Sequence, residues 1–202
     1  MLTTHALLIF AAVYAAAVAT PGPGIVALIA RALGGGFWSA VPMVFGMAVG
    51  DLALMTLSAF GLALVAQAMG DLFLLVKLAG AGYLIHLGYK YWTAPVAETV
   101  STESARAARG FLSQLALTLG NPKAIGFFVA LLPTLIDLKT LSAAGFVEMC
   151  LMPITILPAI CFVYMALASS VRGWFQSAAA RRRMNKGAGT IMIGAGVAVA
   201  VT

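Results

Sequence analysis

Thr20-Pro21-Gly22-Pro23-Gly24 interrupts a long apolar segment near the start of the chain. Proline lacks a backbone N–H and breaks a helix interior, but it is well tolerated at the first helical position after a polar N-cap. We therefore expect one helix to end here and another to begin, with Thr20 as its N-cap and Pro21 at its first position. A helix start presents unpaired N–H groups and a positive dipole end, which favour a bound anion or carboxylate.

Asn121-Pro122-Lys123 repeats this pattern inside a later apolar segment. A polar residue again precedes a proline, so a second helix is expected to begin here. Membrane helices tolerate proline, and each break on its own is compatible with a kink that has no function. Two breaks at corresponding places in the two halves of the chain favour a transport site, because broken helices form the binding sites of many transporters.

The composition is that of an integral membrane protein. Of the 202 residues, 62% are hydrophobic and 9% are charged, and the mean hydropathy is +1.04. The apolar segments have about the 20 residues that a helix needs to cross the hydrocarbon core, and they lack the alternation of a membrane β-barrel. The net charge of +6 does not indicate nucleic-acid binding, because the basic residues lie mostly in short connections, where membrane topology accounts for them.

We predict an all-α fold, a single transmembrane domain over residues 1–202. A polar linker, about 94–109, joins a first repeat of about 1–93 to a second repeat of about 110–202. Each repeat has three predicted transmembrane helices, the first of them broken at a proline, so the chain forms two inverted three-helix repeats. The six predicted helices cover about residues 5–30, 39–65, 72–92, 111–136, 141–168 and 187–202.

Basic residues are concentrated in one set of the predicted connections. The positive-inside rule places these connections, including the linker, in the cytoplasm and both termini outside. If the first segment is re-entrant, the N-terminus is cytoplasmic instead. The basic residues of this set are Arg31, Lys90, Arg106, Arg109, Arg172, Arg181, Arg182, Arg183 and Lys186, whereas the other side holds Lys139.

Two charged residues lie deep in the predicted membrane segments. Asp51 follows Gly46-x-x-x-Gly50, a spacing that permits close helix packing. A lone carboxylate at this depth costs about 2.5–3.5 kcal/mol, so Asp51 must be paired, protonated or in contact with water. It could bind a substrate ammonium group or carry a coupling proton. Lys123 adjoins a positive helix start and needs a carboxylate nearby, either that of a substrate or, in a structural ion pair, that of Asp51.

Three further polar residues are secondary site candidates. Lys77 lies near the outer surface and could extend its ammonium group to water, and Tyr83 has the alternative role of a packing residue. Asp137 belongs to an outer loop or to an exit vestibule. His86 has no second ligand at metal spacing, so no metal is expected, and no other cofactor either. The sequence contains no phosphate loop, zinc motif or nucleophile elbow, which argues against an enzyme.

These motifs together resemble those of the lysine exporter (LysE/RhtB) family of amino-acid efflux proteins. The resemblance covers nearly the whole chain, and it implies a bacterial inner-membrane protein that exports amino acids or related metabolites, driven by the proton gradient. The residues that carry it are Thr20-Pro21-Gly22-Pro23, Gly46-x-x-x-Gly50-Asp51, Gly61-Leu62-Ala63, Lys77-Leu78-Ala79-Gly80-Ala81-Gly82-Tyr83-Leu84, and Asn121-Pro122-Lys123-Ala124 with Phe127-Phe128 and Pro133.

One departure from the family pattern concerns the residue after Pro-Gly-Pro. The family often has Asn or Asp there, whereas this chain has Gly24, so specificity is expected to come from other side chains. The wider superfamily includes thiol-redox transporters, which would need cysteines beside the broken helices. Cys150 and Cys161 lie in the fifth segment instead. A passive channel is a further alternative, since it would keep the broken helices without a proton-coupled residue.

The function that these observations favour is a secondary transporter for a small zwitterionic metabolite. Its partners would be the substrate, protons and the lipid bilayer, and the glycine-rich helices could serve a homodimer as well as the bundle interior. Asp51 would bind the ammonium group or carry the proton. The residues expected to hold the substrate carboxylate are Thr20, Pro21, Gly22, Pro23, Gly24, Asn121, Pro122 and Lys123.

Overall fold

The structure is a computed structural model that describes residues 3–61, 103–137, 141–171, 173 and 178–201, with isolated residues between 78 and 93. The continuous elements within these residues are helical. They are α1 (Thr4–Ala19), α2 (Pro23–Gly35), α3 (Phe37–Thr56) with a π-helical continuation (Leu57–Gly61), α4 (Glu103–Leu119), α5 (Pro122–Ile125), a π-helical turn (Gly126–Leu131), α6 (Leu132–Leu135), α7 (Ala143–Ser170) and α8 (Ala178–Val201).

Both predicted helix breaks are confirmed. Between α1 and α2 the chain bends by 56°, because α1 ends at Ala19 and α2 begins at Pro23. The segments Ala107–Leu119 and Pro122–Leu135 are also bent by 56° relative to each other. The two halves of the chain therefore carry the same kind of broken helix.

Two described helices are long and apolar enough to cross a membrane. They are Phe37–Phe60 and Ala143–Ser170, and each bent pair could form one further span, which gives up to four in the described part of the chain. α4 begins at Glu103, inside the stretch predicted as a linker, and α8 begins well before the predicted sixth segment. Most of the third segment, 72–92, lies outside the described residues, so six spans in two inverted repeats stay a prediction.

The protein has apolar side chains outside and several polar ones inside. Leu8, Trp38, Phe45 and Val163 are among the large apolar residues exposed on its surface. Burying polar groups and exposing apolar ones suits a lipid surround, where an exposed polar group would find no water. Among the described residues, the buried polar ones are Asp51, Ser58, Gln114 and Thr118.

The glycine pair predicted to allow close packing lies between α3 and α4. A Cβ on Gly46 would lie 2.3 Å from the Phe111 carbonyl oxygen, and a Cβ on Gly50 would lie 2.7 Å from the Thr118 side chain. No other residue type fits these distances without moving α4, so the predicted close approach is confirmed. This close packing of α3 on α4 places Asp51, the residue after Gly50, near the C-terminal end of α4.

A tight turn joins α2 directly to α3. Gly36 has φ 83° and ψ 172°, a conformation that glycine adopts far more readily than residues with a side chain. The Gly36 N–H donates to the Ala32 carbonyl oxygen at 2.8 Å, and the Ser39 hydroxyl donates to the Gly36 carbonyl oxygen at 2.7 Å. The turn thereby connects the helix that starts at the first break to the helix that carries Asp51.

Candidate functional site

One cavity is lined by both helix breaks. Its interior volume is about 60 Å³, and its mouth is open. Residues from α1, α2, α3, α4, α5, α7 and the second π-helical turn contribute to it. They are Tyr14, Ala17, Val18, Gly22, Gly24, Ile25, Met47, Asp51, Thr118, Asn121, Lys123, Ala124, Phe127, Phe128 and Leu157.

The predicted site residues divide into two groups around this cavity. Thr20, Pro21, Pro23 and Pro122 are not among its lining residues in the described part of the chain, although they shape the two breaks. Gly22, Gly24, Asp51, Asn121 and Lys123 do line it. The cavity therefore brings together one acidic residue, one basic residue and residues from both breaks.

The prediction that Thr20 caps the second half-helix is wrong. Its hydroxyl donates to the Ala16 carbonyl oxygen at 2.9 Å, so Thr20 terminates α1, and the N-cap of α2 is Gly22. The proline ring disfavours the helical region for the residue before it. Gly22 precedes Pro23 and is extended, with φ −127° and ψ −175°, so the helix begins at Pro23.

The start of α2 is left without a side-chain cap. Gly22 has no side chain to accept a hydrogen bond, and Pro23 has no N–H to donate. The first intrahelical bond runs from the Val26 N–H to the Gly22 carbonyl oxygen at 2.9 Å, so the N–H groups of Gly24 and Ile25 have no acceptor within the helix. Both residues line the cavity, where these donors and the helix dipole favour an anion.

The second break has the cap that the sequence predicts. The Asn121 side-chain oxygen accepts from the Lys123 N–H at 3.1 Å, and Pro122 occupies the first helical position. The Ile125 N–H donates to the Asn121 carbonyl oxygen at 2.9 Å. Of the two N–H groups that precede the first intrahelical bond, those of Lys123 and Ala124, the first is therefore already used. Lys123 also brings its ammonium group to the cavity.

Lys123 connects the second break to the first. Its ammonium group donates to the carbonyl oxygen of Thr20, at the C-terminal end of α1, where the helix dipole favours a cation. Its aliphatic chain passes beside Gly22, because a Cβ there would lie 3.4 Å from the Lys123 Cδ. One side chain thus brings a positive charge next to the uncapped start of α2.

Asp51 is held by a residue that the sequence reasoning missed. The Tyr14 hydroxyl donates to an Asp51 carboxylate oxygen at 2.6 Å, and both side chains are buried. Tyr14 packs against the rings of Phe127 and Phe128, with centroid distances of 5.5 and 6.1 Å. A lone tyrosine in the alanine- and valine-rich run of α1 was the available signal. The hydrogen bonds of Asp51 and Lys123 therefore go to different partners, while both side chains line the cavity.

Gln114 is a second residue that the sequence reasoning missed. It is 0% exposed, and its two amide atoms have no hydrogen-bond partner among the described residues. Its nitrogen would lie 2.8 Å from a Cβ placed on Gly24. An amide in the apolar fourth segment was the signal, because a polar group there needs a partner.

The remaining candidates lie away from the cavity or outside the described residues. Lys77 and Tyr83 belong to the part of the chain that the structure does not describe. Asp137 is exposed beyond the end of α6 and is not a lining residue. Cys161 is closer to the site than its sequence position suggested, since its sulfur lies 4.0 Å from that of Met47, but only Met47 lines the cavity.

Metal binding has no support in the described part of the chain. Its His, Cys, Asp and Glu side chains form no group of three or more that could hold a metal ion. The polar groups of the cavity are instead backbone N–H groups, one carboxylate, one ammonium group, an amide and hydroxyls, which suit a small polar organic molecule.

Comparison with known proteins identifies the family. Residues 15–202 match the family described as LysE type translocator. An uncharacterized membrane protein of Vibrio cholerae is 32% identical over 89% of each chain. A homoserine/homoserine lactone efflux protein of Salmonella typhimurium is 27% identical over 90% of this chain and 89% of its own. A leucine efflux protein of an Enterobacter species is 32% identical over 74% of this chain and 71% of its own.

No solved protein structure shows a significant match to the chain. The family match nevertheless covers nearly the whole sequence, and the apolar helices are those of a multi-pass membrane protein. These observations indicate a transport protein rather than an enzyme. The chain belongs to the LysE type translocator family.

Proposed function

We propose that this protein is a secondary transporter that exports amino acids or related small zwitterionic metabolites across the bacterial inner membrane. The observation that carries the proposal is the single cavity lined by both helix breaks together with Asp51 and Lys123. A zwitterion needs opposite charges on either side of it, and this cavity offers both. The efflux relatives named for homoserine, homoserine lactone and leucine support the same class of substrate.

The substrate carboxylate would bind at the start of α2. The N–H groups of Gly24 and Ile25 supply hydrogen-bond donors, and the ammonium group of Lys123 lies beside Gly22. A carboxylate at this position would accept hydrogen bonds from the helix start and attract the lysine. Lys123 would then exchange its bond to the Thr20 carbonyl for one to the substrate.

The rest of the substrate would lie between Asp51 and the apolar wall. The Asp51 carboxylate is the available partner for the substrate ammonium group. Met47, Phe127, Phe128 and Leu157 line the cavity with apolar surface, which suits an uncharged side chain because its burial is favourable. The cavity therefore favours an amino acid with a small or apolar side chain.

Proton coupling would depend on Asp51. Asp51 would bind a proton when the cavity faces one side of the membrane and a substrate ammonium group when it faces the other. The transporter would thereby exchange protons for substrate across the membrane. The predicted inverted repeats would supply these orientations by rocking about the midplane cavity, with the cytoplasmic linker of about 94–109 joining them. Tyr14 would hold the carboxylate in the cavity in both cases.

The experiment is uptake and efflux of radiolabelled L-leucine and L-homoserine in proteoliposomes with an imposed pH gradient. Wild-type protein should accumulate substrate against its gradient, and Asp51→Asn should abolish that accumulation. Glu148→Gln, which removes a carboxylate outside the cavity, is the matched control. Undiminished gradient-driven transport by Asp51→Asn would remove Asp51 from the mechanism.

A passive channel gives a different result in the same vesicles. Its flux would rise linearly with substrate concentration and would be indifferent to the proton gradient. Saturable transport that collapses when a protonophore is added supports the secondary transporter, whereas linear, protonophore-resistant flux would overturn it.

A further inference from the structure

The amide of Gln114 is a buried polar group that the carboxylate site described above does not use. It lies on α4, is 0% exposed, and both amide atoms lack a hydrogen-bond partner among the described residues. A buried amide without a partner loses its hydration without replacement. Such a group is expected either at a strained position or where a ligand completes its hydrogen bonds.

The Gln114 amide lies against Gly24. A Cβ on Gly24 would lie 2.8 Å from the Gln114 nitrogen and 3.1 Å from the Met47 methyl group. The glutamine amide therefore occupies the space that a side chain at position 24 would need. Gln114 is not itself among the lining residues, but Gly24, the second residue of α2, is. The amide therefore lies directly behind the uncapped helix start, in contact with a residue of the cavity wall.

We propose that Gln114 is a substrate-binding residue that donates a hydrogen bond from its amide to the substrate carboxylate at the start of α2. This inference rests on the proposed function and adds a specificity-determining side chain to it. The carboxylate would then accept from the N–H groups of Gly24 and Ile25 and from the Gln114 amide. The side chain that α2 lacks at position 24 is supplied from α4.

The binding test compares two ligands that differ at the carboxylate. L-leucine has a carboxylate, whereas L-leucinol has a hydroxymethyl group in its place and keeps the ammonium group and side chain. In competition assays on the purified full-length protein, Gln114→Met should weaken L-leucine binding about 10-fold and L-leucinol binding much less, since a hydrogen bond to a charged group is lost.

A purely structural role gives a different pattern. If Gln114 only packs α4 against its neighbours or binds a buried water molecule, its replacement changes the affinities for both ligands by the same factor, which would overturn the inference. If the wild-type protein binds L-leucine and the variants lose affinity for both ligands by the same factor, the inference fails and the proposed function stands. A wild-type protein that neither binds nor transports amino acids overturns the proposed function, and the inference with it.

Gly24→Ala is the second variant, and it leaves the glutamine itself unchanged. The added methyl group must displace the Gln114 amide, so L-leucine binding should fall selectively, as in Gln114→Met. The double variant Gly24→Ala/Gln114→Met should lose little more L-leucine affinity, relative to L-leucinol, than either single variant, because both changes act on the same hydrogen bond. Gly187→Ala is the control, since a Cβ there meets nothing within 4 Å. Additive selective losses in the double variant would contradict the shared mechanism.

Discussion

The two helix breaks bend the chain by the same 56° but differ in how their ends are completed. At the second break the Asn121 side chain accepts from the N–H of Lys123. At the first break Gly22 offers no side chain, and α2 begins uncapped. The difference teaches that a proline break sets the bend, whereas the residue before the proline decides whether the helix start is available to a ligand.

The two breaks also differ in what they give to the cavity. The first break supplies N–H donors from Gly24 and Ile25, and the second supplies the ammonium group of Lys123, which reaches back to the carbonyl oxygen of Thr20. We therefore regard the first break as the part of the cavity that binds the substrate carboxylate, and the second as the source of the positive charge of Lys123. Variants at each break separate these two roles.

The largest effect is expected from Lys123→Met. This change removes the positive charge between the breaks and leaves the Thr20 carbonyl without its hydrogen bond, so transport of labelled L-leucine should fall about 100-fold. Lys186→Met is the control, because Lys186 lies over the Trp92 ring at the protein surface. Transport within a factor of about two of wild type in Lys123→Met would show that the second break supplies no essential charge.

A smaller but more specific effect is expected from Gly22→Ser, which gives the first break the cap it lacks. The extended conformation of Gly22 and the 3.4 Å distance from its Cβ position to the Lys123 Cδ both admit a side chain. The serine hydroxyl would accept from the start of α2 and compete with the substrate carboxylate. Apparent substrate affinity should fall about 10-fold while stability in detergent rises by about 0.5–1 kcal/mol.

The converse change is Asn121→Ala, which uncaps the second break. It should cost about 1 kcal/mol of stability in thermal unfolding, the usual value of an asparagine cap. Substrate affinity should change much less than in Gly22→Ser, because this helix start is not the part of the cavity that binds the substrate carboxylate. A larger loss of affinity in Asn121→Ala than in Gly22→Ser would reverse the roles assigned to the two breaks.

The smallest effect is expected from Tyr164→Phe. The Tyr164 hydroxyl on α7 donates to the Ala19 carbonyl oxygen at 2.6 Å, next to the first break but outside the cavity. Its loss should lower stability by about 0.5–1.5 kcal/mol and leave substrate affinity near that of wild type. Tyr89→Phe, at an exposed position, should change neither quantity. A marked loss of affinity in Tyr164→Phe alone would extend the substrate site to the end of α1.

The sequence predicts those parts of the fold that depend on local backbone chemistry. The proline at each break and the spacing of Gly46 and Gly50 act within a few residues, so the breaks and the close α3–α4 packing could be predicted. The wrong cap at Thr20 arose from the first proline of Pro21-Gly22-Pro23. The second proline decides the helix start, because it keeps Gly22 extended.

The side-chain contacts of the site could not be predicted in the same way. Asp51 and Lys123 stood out because charge is costly in a membrane. Tyr14 and Gln114 are ordinary in sequence, and their roles depend on how α1 and α4 are rotated against α3 and α2. Only the folded chain shows that Tyr14 reaches Asp51 and that Gln114 fills the space beside Gly24.

The central claim is that both breaks hold one substrate, and cysteine protection tests it most directly. Val18 and Ala124 line the cavity, one from each broken segment, and each can be replaced by cysteine after Cys150→Ala and Cys161→Ala. The rate of N-ethylmaleimide labelling is then measured against L-leucine concentration. We predict protection of both cysteines with the same half-maximal concentration. Protection at one position only, or at clearly different concentrations, would contradict a shared site.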